Sequence, residues 1–89
     1  MEPLLVPPMI YVLELVDGNY YVGITYNLNI RLSQDLSGSG AGWTRLHKPI
    51  RVVEVFFEGC DRKMEDAVTK RYMEKYGKDK VRGGSYCKC

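Results

Sequence analysis

No apolar run in the chain approaches the ~20 residues that a membrane-spanning helix needs, so no membrane partner is expected. Basic residues are missing from the first 26 positions, which hold Glu2, Glu14 and Asp17 but no Lys or Arg. The opening residues 1–8 therefore lack the basic segment and long apolar stretch of a signal peptide, and their prolines predict an extended lead-in. Cysteine is scarce, and the three present, Cys60, Cys87 and Cys89, are an odd number. A disulfide framework is not expected; reduced thiols in an intracellular protein, cytoplasmic or nuclear, fit better. His47 is the single histidine. A zinc site would need Cys60 and His47 to converge on the Cys87-Lys88-Cys89 tail, or ligands from beyond residue 89. The plainer expectation for residues 87–89 is a frayed tail with exposed thiols. No internal repeat divides the 89 residues, which suffice for one domain with one modest core.

What is present has a globular balance, with 45% hydrophobic and 27% charged residues, so a folded core is affordable. A net charge of +2 is too small to announce a nucleic-acid partner, but it is unevenly spread. Residues 27–52 carry Arg31, Arg45, Lys48 and Arg51 against Asp35 alone. Any phosphate-facing surface should draw on this middle third and on the last helix.

Met9–Val16 is rich in strand formers; the turn signal Asp17-Gly18-Asn19 and a second run, Tyr20–Ile24, follow it. This predicts a hairpin. A three-residue loop pairs Val16 with Tyr20 and puts Tyr11 and Tyr21 on one sheet face, whereas a two-residue loop puts them on opposite faces. The three-residue register is the expectation. Asn27–Leu36 predicts a short helix, capped by Asn27 or Thr25, with Leu28, Leu32 and Leu36 as its core stripe. Arg31 and Asp35 share a neighbouring stripe, one turn apart. Residues 37–42, Ser-Gly-Ser-Gly-Ala-Gly, predict a flexible loop, and Trp43–Pro49 is polar apart from its lone Trp. Ile50–Glu58 predicts a third strand whose Val52, Val53, Val55, Phe56 and Phe57 suggest burial on both faces and hence a central place in the sheet. Asp61 is the expected N-cap of a long helix, Arg62–Tyr76, with Met64, Val68 and Tyr72 in one row and Gly77 as its stop. A short helical turn at Asp79–Val81 and a tight turn at Gly83-Gly84 close the chain.

The hairpin carries Ile10-Tyr11-Val12 and, ten residues on, Tyr21-Val22-Gly23; Arg31 follows after ten more, on a helix. Gly42-Trp43-Thr44-Arg45 through His47-Lys48-Pro49 then leads into a strand, and Tyr72-Met73…Gly77…Val81-Arg82-Gly83-Gly84-Ser85-Tyr86 ends the run. No one triplet is specific, but the order and spacing of all of them resemble the GIY-YIG nuclease family over residues 9–86. The first motif departs from the family's by having Met9 in place of glycine. The resemblance implies an α+β fold, a three-stranded antiparallel sheet flanked by helices, in the order β-β-α-β-α with a short C-terminal helical turn. It also implies DNA as partner and phosphodiester hydrolysis with one divalent ion, Mg²⁺ or Mn²⁺.

Hydrolysis of a phosphodiester needs a proton acceptor for water, stabilisation of charge on the phosphorus oxygens, and help for the leaving oxygen. The resemblance gives the first task to Tyr11, directly or through water, and makes Tyr21 the group that holds water or phosphate. A free tyrosine, with a pKa of about 10, is a poor base unless a cation lowers it. Arg31 can bind two phosphate oxygens in one fork. The family's metal carboxylate aligns with Thr69 or Lys70, neither of which binds Mg²⁺ well; Glu65, one turn earlier on the same helix face, is the substitute ligand. Contacts to the nucleic acid are expected from Arg45, Thr44, His47, Trp43, Lys70 and Arg82. Each of these has a plainer role: a core anchor for Trp43, a turn-orienting side chain for His47, a solvated face for the lysines. So small a domain would take its specificity from a larger partner protein, an extra domain, a dimer or DNA shape. The rival expectations are a binding module on the same scaffold without turnover, because the metal carboxylate is displaced, and a protein-interaction domain with no nucleic-acid role.

Overall fold

The structure, a computed structural model, describes residues 7–87; most of the expected lead-in, and Cys89 with its zinc question, lie outside the described residues. β1 (Met9–Leu15) and β2 (Asn19–Thr25) form the hairpin. They are joined by a three-residue turn, Val16–Gly18, in which Asp17 and Gly18 both take left-handed φ. The turn begins one residue earlier than expected, so Leu15 rather than Val16 faces across it, to Asn19. Parity is preserved. Tyr11 pairs with Gly23 and Leu13 with Tyr21, so both tyrosines do share a face.

α1 (Leu28–Ser37) is capped by the Asn27 side chain, which accepts from Ile30 N, and ends at left-handed Gly38. Its stripe is a correction. Leu36 is 67% exposed, and Asp35, at 1%, lies inside. The reason is the helix period of 3.6: seven residues after Leu28 bring Asp35 within roughly 20° of it, while eight residues leave Leu36 roughly 80° away. α2 (Gly42–Leu46) was not expected; its first turn drives Trp43 and Thr44 into the interior.

β3 (Pro49–Phe56) is an edge strand, not the central one. Its pairing with β1 slips twice, leaving Ile50 and Val53 without Cα partners. Such bulges, with Pro49, Arg51 and Glu54, blunt an exposed edge against pairing with other chains. The apolar run misled because Ile50 and Val52 stay largely exposed. α3 (Arg62–Tyr76) has the expected limits, with Asp61 accepting from Met64 N.

The sheet itself is a further correction. It has four strands in the order β3-β1-β2-β4, and β4 (Val81–Gly83) runs parallel to β2. The glycines had suggested only a turn. A Cβ on Gly83 would collide with Val22 O and Thr69 Oγ1, so its absence lets this backbone slot between β2 and α3. Ile10, Val12, Tyr20 and Val22 pack toward α3 with Val68 and Val81. Tyr11, Leu13, Leu15 and Tyr21 pack on the other face with Trp43 and, from α1, Leu28 and Leu32. Among the described residues no helix is long and apolar enough to cross a membrane.

Candidate functional site

The sequence motifs acquire geometry on the α1 face of the sheet. Tyr11 stands opposite Gly23, and a Cβ there would strike the Tyr11 ring. The glycine of Tyr21-Val22-Gly23 is therefore the floor on which the first tyrosine lies. Tyr21 stands beside it, its ring centroid 6.2 Å from that of Tyr11. Arg31, on α1, reaches down to them: its Nη2 donates to Tyr21 Oη at 3.1 Å. The two tyrosines that the hairpin register put on one face, and the arginine that the resemblance added to them, do converge.

Asp35 completes the cluster. Tyr11 Oη donates to Asp35 Oδ2 at 2.9 Å, and Thr44 Oγ1 lies 3.4 Å from Oδ1. Arg31 Nε is 3.6 Å from Oδ1; it is buried and makes no hydrogen bond among the described residues. The glycine-rich loop closes over this carboxylate, because a Cβ on Gly40 would overlap Asp35 Oδ1. Asp35 was not among the expected site residues. The signal that could have found it was its place one turn after Arg31, on the same helix stripe.

Water reaches the cluster through Arg31. Tyr11 is fully buried, Tyr21 is 5% exposed, and the Arg31 side chain is 30% exposed. Burial, then the charges of Tyr21 and Asp35, push the Tyr11 phenol well above its ordinary range, with Arg31 opposing. Burial likewise pushes Tyr21 up to about 12 against the pull of Arg31. For Arg31, burial works against the charge, but Tyr11, Tyr21 and Asp35 outweigh it and raise the pKa. Tyr11 is thus a hydrogen-bond donor to Asp35, not a free phenolate.

Glu65 is buried on α3 and packs against the Gly84 backbone. Burial raises its pKa, while Arg62 and, from a greater remove, Arg31 lower it; its charge also acts on Tyr21. Thr69, the aligned position, is fully buried and spends its hydroxyl on Glu65 O at 2.7 Å. Lys70 is exposed beside the Tyr86 ring. Asp66 is held by Ser85 N and Oγ at 2.8 and 2.9 Å. Glu65 is therefore the α3 carboxylate in electrical contact with the cluster. Among the described residues no group of three or more His, Cys, Asp or Glu side chains is gathered to hold a metal. One carboxylate still suits Mg²⁺, which takes most of its ligands from water and phosphate.

The remaining expected contact residues divide. Trp43 is buried at 7%, donates Nε1 to Tyr20 O at 3.0 Å, and carries the Arg82 guanidinium 4.4 Å above its ring. A base has no free face of it to stack on. Thr44 is 2% exposed and donates to Ala41 O, so its hydroxyl is spent internally. His47 packs edge-on to Trp43 and meets Asn19 Nδ2 at 3.2 Å, the turn-orienting role. Arg45 is exposed. Arg82 lies beside Tyr21 across the β2–β4 pair and donates Nη1 to Lys78 O and Val81 O.

Comparison with known proteins now bears on this geometry. Residues 7–86 match the model of the GIY-YIG catalytic domain. The chain is 37% identical over 62 residues to a UPF0213 protein of Bacillus pumilus, covering 70% of this chain and 60% of that one. It is 30% identical over 81 residues to a UPF0213 protein of Halalkalibacterium halodurans, covering 86% of each. A UPF0213 protein of Cupriavidus necator is 46% identical over 44 residues, about half of each chain. No solved structure matches.

Proposed function

This chain belongs to the GIY-YIG family, and from that premise we propose that it is a divalent-metal-dependent endonuclease acting on DNA. The family implies a nuclease-type role. The finer assignment rests on one observation, the convergence of Tyr11, Tyr21, Arg31 and Asp35 on a single sheet face.

A phosphate would meet Arg31 first, because the guanidinium is the part of the cluster that reaches water. Its N–H groups beyond the bond to Tyr21 and the buried Nε offer the donors that spread charge over the phosphorus oxygens. Tyr21 accepts from Arg31, which leaves its own proton free for a phosphate oxygen or a water. Tyr11 and Asp35 would act as a pair. As Tyr11 takes a proton from water, its own passes along the 2.9 Å bond to Asp35, and the hydroxide oxygen forms the new bond to phosphorus. The leaving oxygen separates and takes its proton from solvent. Glu65 would hold the divalent ion, which when bound supplies Lewis-acid stabilisation of the leaving oxygen. Arg45, Lys70 and Arg82 would contribute contacts to the backbone of the DNA.

The burial of Tyr11 favours a second reading, a nucleic-acid-binding module without turnover. One assay separates them. Supercoiled plasmid is incubated with the protein with and without Mg²⁺ or Mn²⁺, beside Arg31→Ala. Metal-dependent nicking that the variant lacks supports the enzyme. Salt-sensitive binding without nicking supports the module, and equal nicking by both proteins marks a contaminant.

A further inference from the structure

Along the outer side of α3, beyond the cluster, a recess of about 290 Å³ is lined by Lys70, Met73, Glu74, Lys78 and Tyr86. A second recess, about 240 Å³, adjoins it through the same Met73 and Tyr86 and reaches Ser85 and Arg82. The proposed function draws on Lys70 and Arg82 from their walls as backbone contacts, but gives neither recess an occupant. We propose that this groove seats one unpaired nucleotide of the DNA strand whose phosphate is held at Arg31, with the base stacked on Tyr86. The proposal rests on the phosphate-site reading above and names the form of substrate that site takes.

The backbone that carries the aromatic ring is pinned. Tyr86 and Gly83 exchange two backbone hydrogen bonds, at 2.7 and 3.1 Å. The preceding Ser85 is pinned to Asp66 by two more. Gly84, which has left-handed φ, cannot carry a side chain without meeting Asp66 and Glu65. A ring fixed in this way loses little entropy when a base stacks on it. Met73 adds a polarisable apolar wall. Lys70 Nζ, 5.9 Å from the ring centroid, and Lys78 stand where the phosphates on either side of a stacked base would run. Glu74 offers an acceptor to an exocyclic amino group.

The segment that carries Tyr86 starts beside the α3 carboxylate. Gly84 packs against Glu65, since a Cβ on it would lie 3.4 Å from Glu65 Cγ, and Tyr86 is two residues further on, a backbone span of at most ~7 Å. That span is about one step of an extended strand. A base inside a duplex has both faces covered by its neighbours, so only an unpaired nucleotide can use the ring.

The test uses the full chain without metal, so that nothing is cut, and three DNA hairpins with one common stem. One is blunt, and the others carry a single-stranded extension on the 5′ or the 3′ side with fluorescent 2-aminopurine as the first unpaired base. Wild type should bind one extended hairpin more tightly than the blunt one and quench its fluorophore. Tyr86→Ala should weaken that binding about 5- to 150-fold, the range given by one base–aromatic stack, and leave the blunt hairpin within about twofold. Tyr86→Trp should restore it. Lys78→Ala, an exposed change that spares the fold, should lower the slope of log affinity against log salt by about one on the extended hairpin alone. Equal affinity for all three hairpins, or equal effects of Tyr86→Ala on all of them, overturns the nucleotide site while leaving the Arg31 phosphate site standing. Failure of wild type to bind any hairpin at low salt overturns both.

Discussion

The Tyr11 hydroxyl on β1 and the Asp35 carboxylate on α1, 24 residues apart, share a 2.9 Å hydrogen bond that solvent does not reach. The bond ties the hairpin to the first helix and holds Tyr11 in one orientation. It also explains the glycine-rich loop, since Gly40 has to lack a side chain for the loop to close over the carboxylate.

That relationship has a measurable energy. Asp35→Ala strands the Tyr11 hydroxyl in the interior, at a cost of ~1–3 kcal/mol for the unsatisfied group, with the Arg31 charge left less compensated. The expected loss of ~3 kcal/mol would lower the melting temperature by roughly 12–24 °C in a domain this small. Tyr11→Phe removes the other partner. In a double-mutant cycle by urea unfolding, the two changes together should cost less than their sum by ~1–3 kcal/mol. Strict additivity would mean that the bond contributes nothing to the fold.

Arg31→Lys separates charge from shape. The ammonium keeps the positive charge near Asp35 but loses the planar fork and the bond from Nη2 to Tyr21 Oη. Plasmid nicking under saturating Mg²⁺ is expected to fall on the order of 10²-fold, while binding of duplex DNA without metal changes less than tenfold. A variant that nicks as fast as wild type would show that a point charge suffices there.

How much of this was legible in the chain depended on distance in sequence. Local signals worked: the Asp61 cap, the Gly77 stop and the limits of α3 follow from side chain-to-backbone rules that act within a few residues. The convergence of Tyr11, Tyr21 and Arg31 was also readable, because strand parity and helix pitch propagate predictably from a short turn. Tertiary packing decided the rest. Asp35 displaced Leu36 from the core because it has a partner on another strand. Gly83 became a strand residue because its missing Cβ fits beneath Thr69, a contact no local pattern encodes. β3 took the edge although its valines suggested the centre, since its bulges depend on pairing with β1. Trp43, sought as a base platform, was claimed by Arg82 and by the backbone of β2.

Stability should be flat at neutral pH and fall on the alkaline side. Tyr21 titrates near 10 when unfolded and is pushed up to about 12 when folded. The folded state therefore holds the proton more tightly. Its contribution is fully present below pH ~10 and is lost as pH rises through about 12. Two units correspond to at most ~2–3 kcal/mol. Chemical denaturation at intervals from pH 8 to 11.5 should show a plateau and then a decline, shallower in Tyr21→Phe. A decline already complete by pH 9 would contradict the buried, protonated phenol.

Glu65 is the residue on which catalysis and mere binding part company. Its carboxylate is buried, its pKa is raised, and its charge reaches Tyr21 and Arg31, whereas Thr69 is uncharged and fully buried. A raised pKa makes protons stronger competitors for this site than for an ordinary glutamate, so metal-dependent nicking should begin to fail on the acid side above the usual carboxylate range. Glu65→Gln keeps the size of the side chain and its packing against Gly84 but removes the charge. Nicking should drop by at least ~10²-fold at any Mg²⁺ concentration, and Mn²⁺ binding, followed by the paramagnetic signal of the free ion, should be lost. DNA affinity without metal should hold or rise slightly, because a negative charge has left the phosphate path. If Glu65→Gln binds Mn²⁺ and nicks like wild type, the divalent ion is held elsewhere and Glu65 serves only to fasten Gly84 to α3.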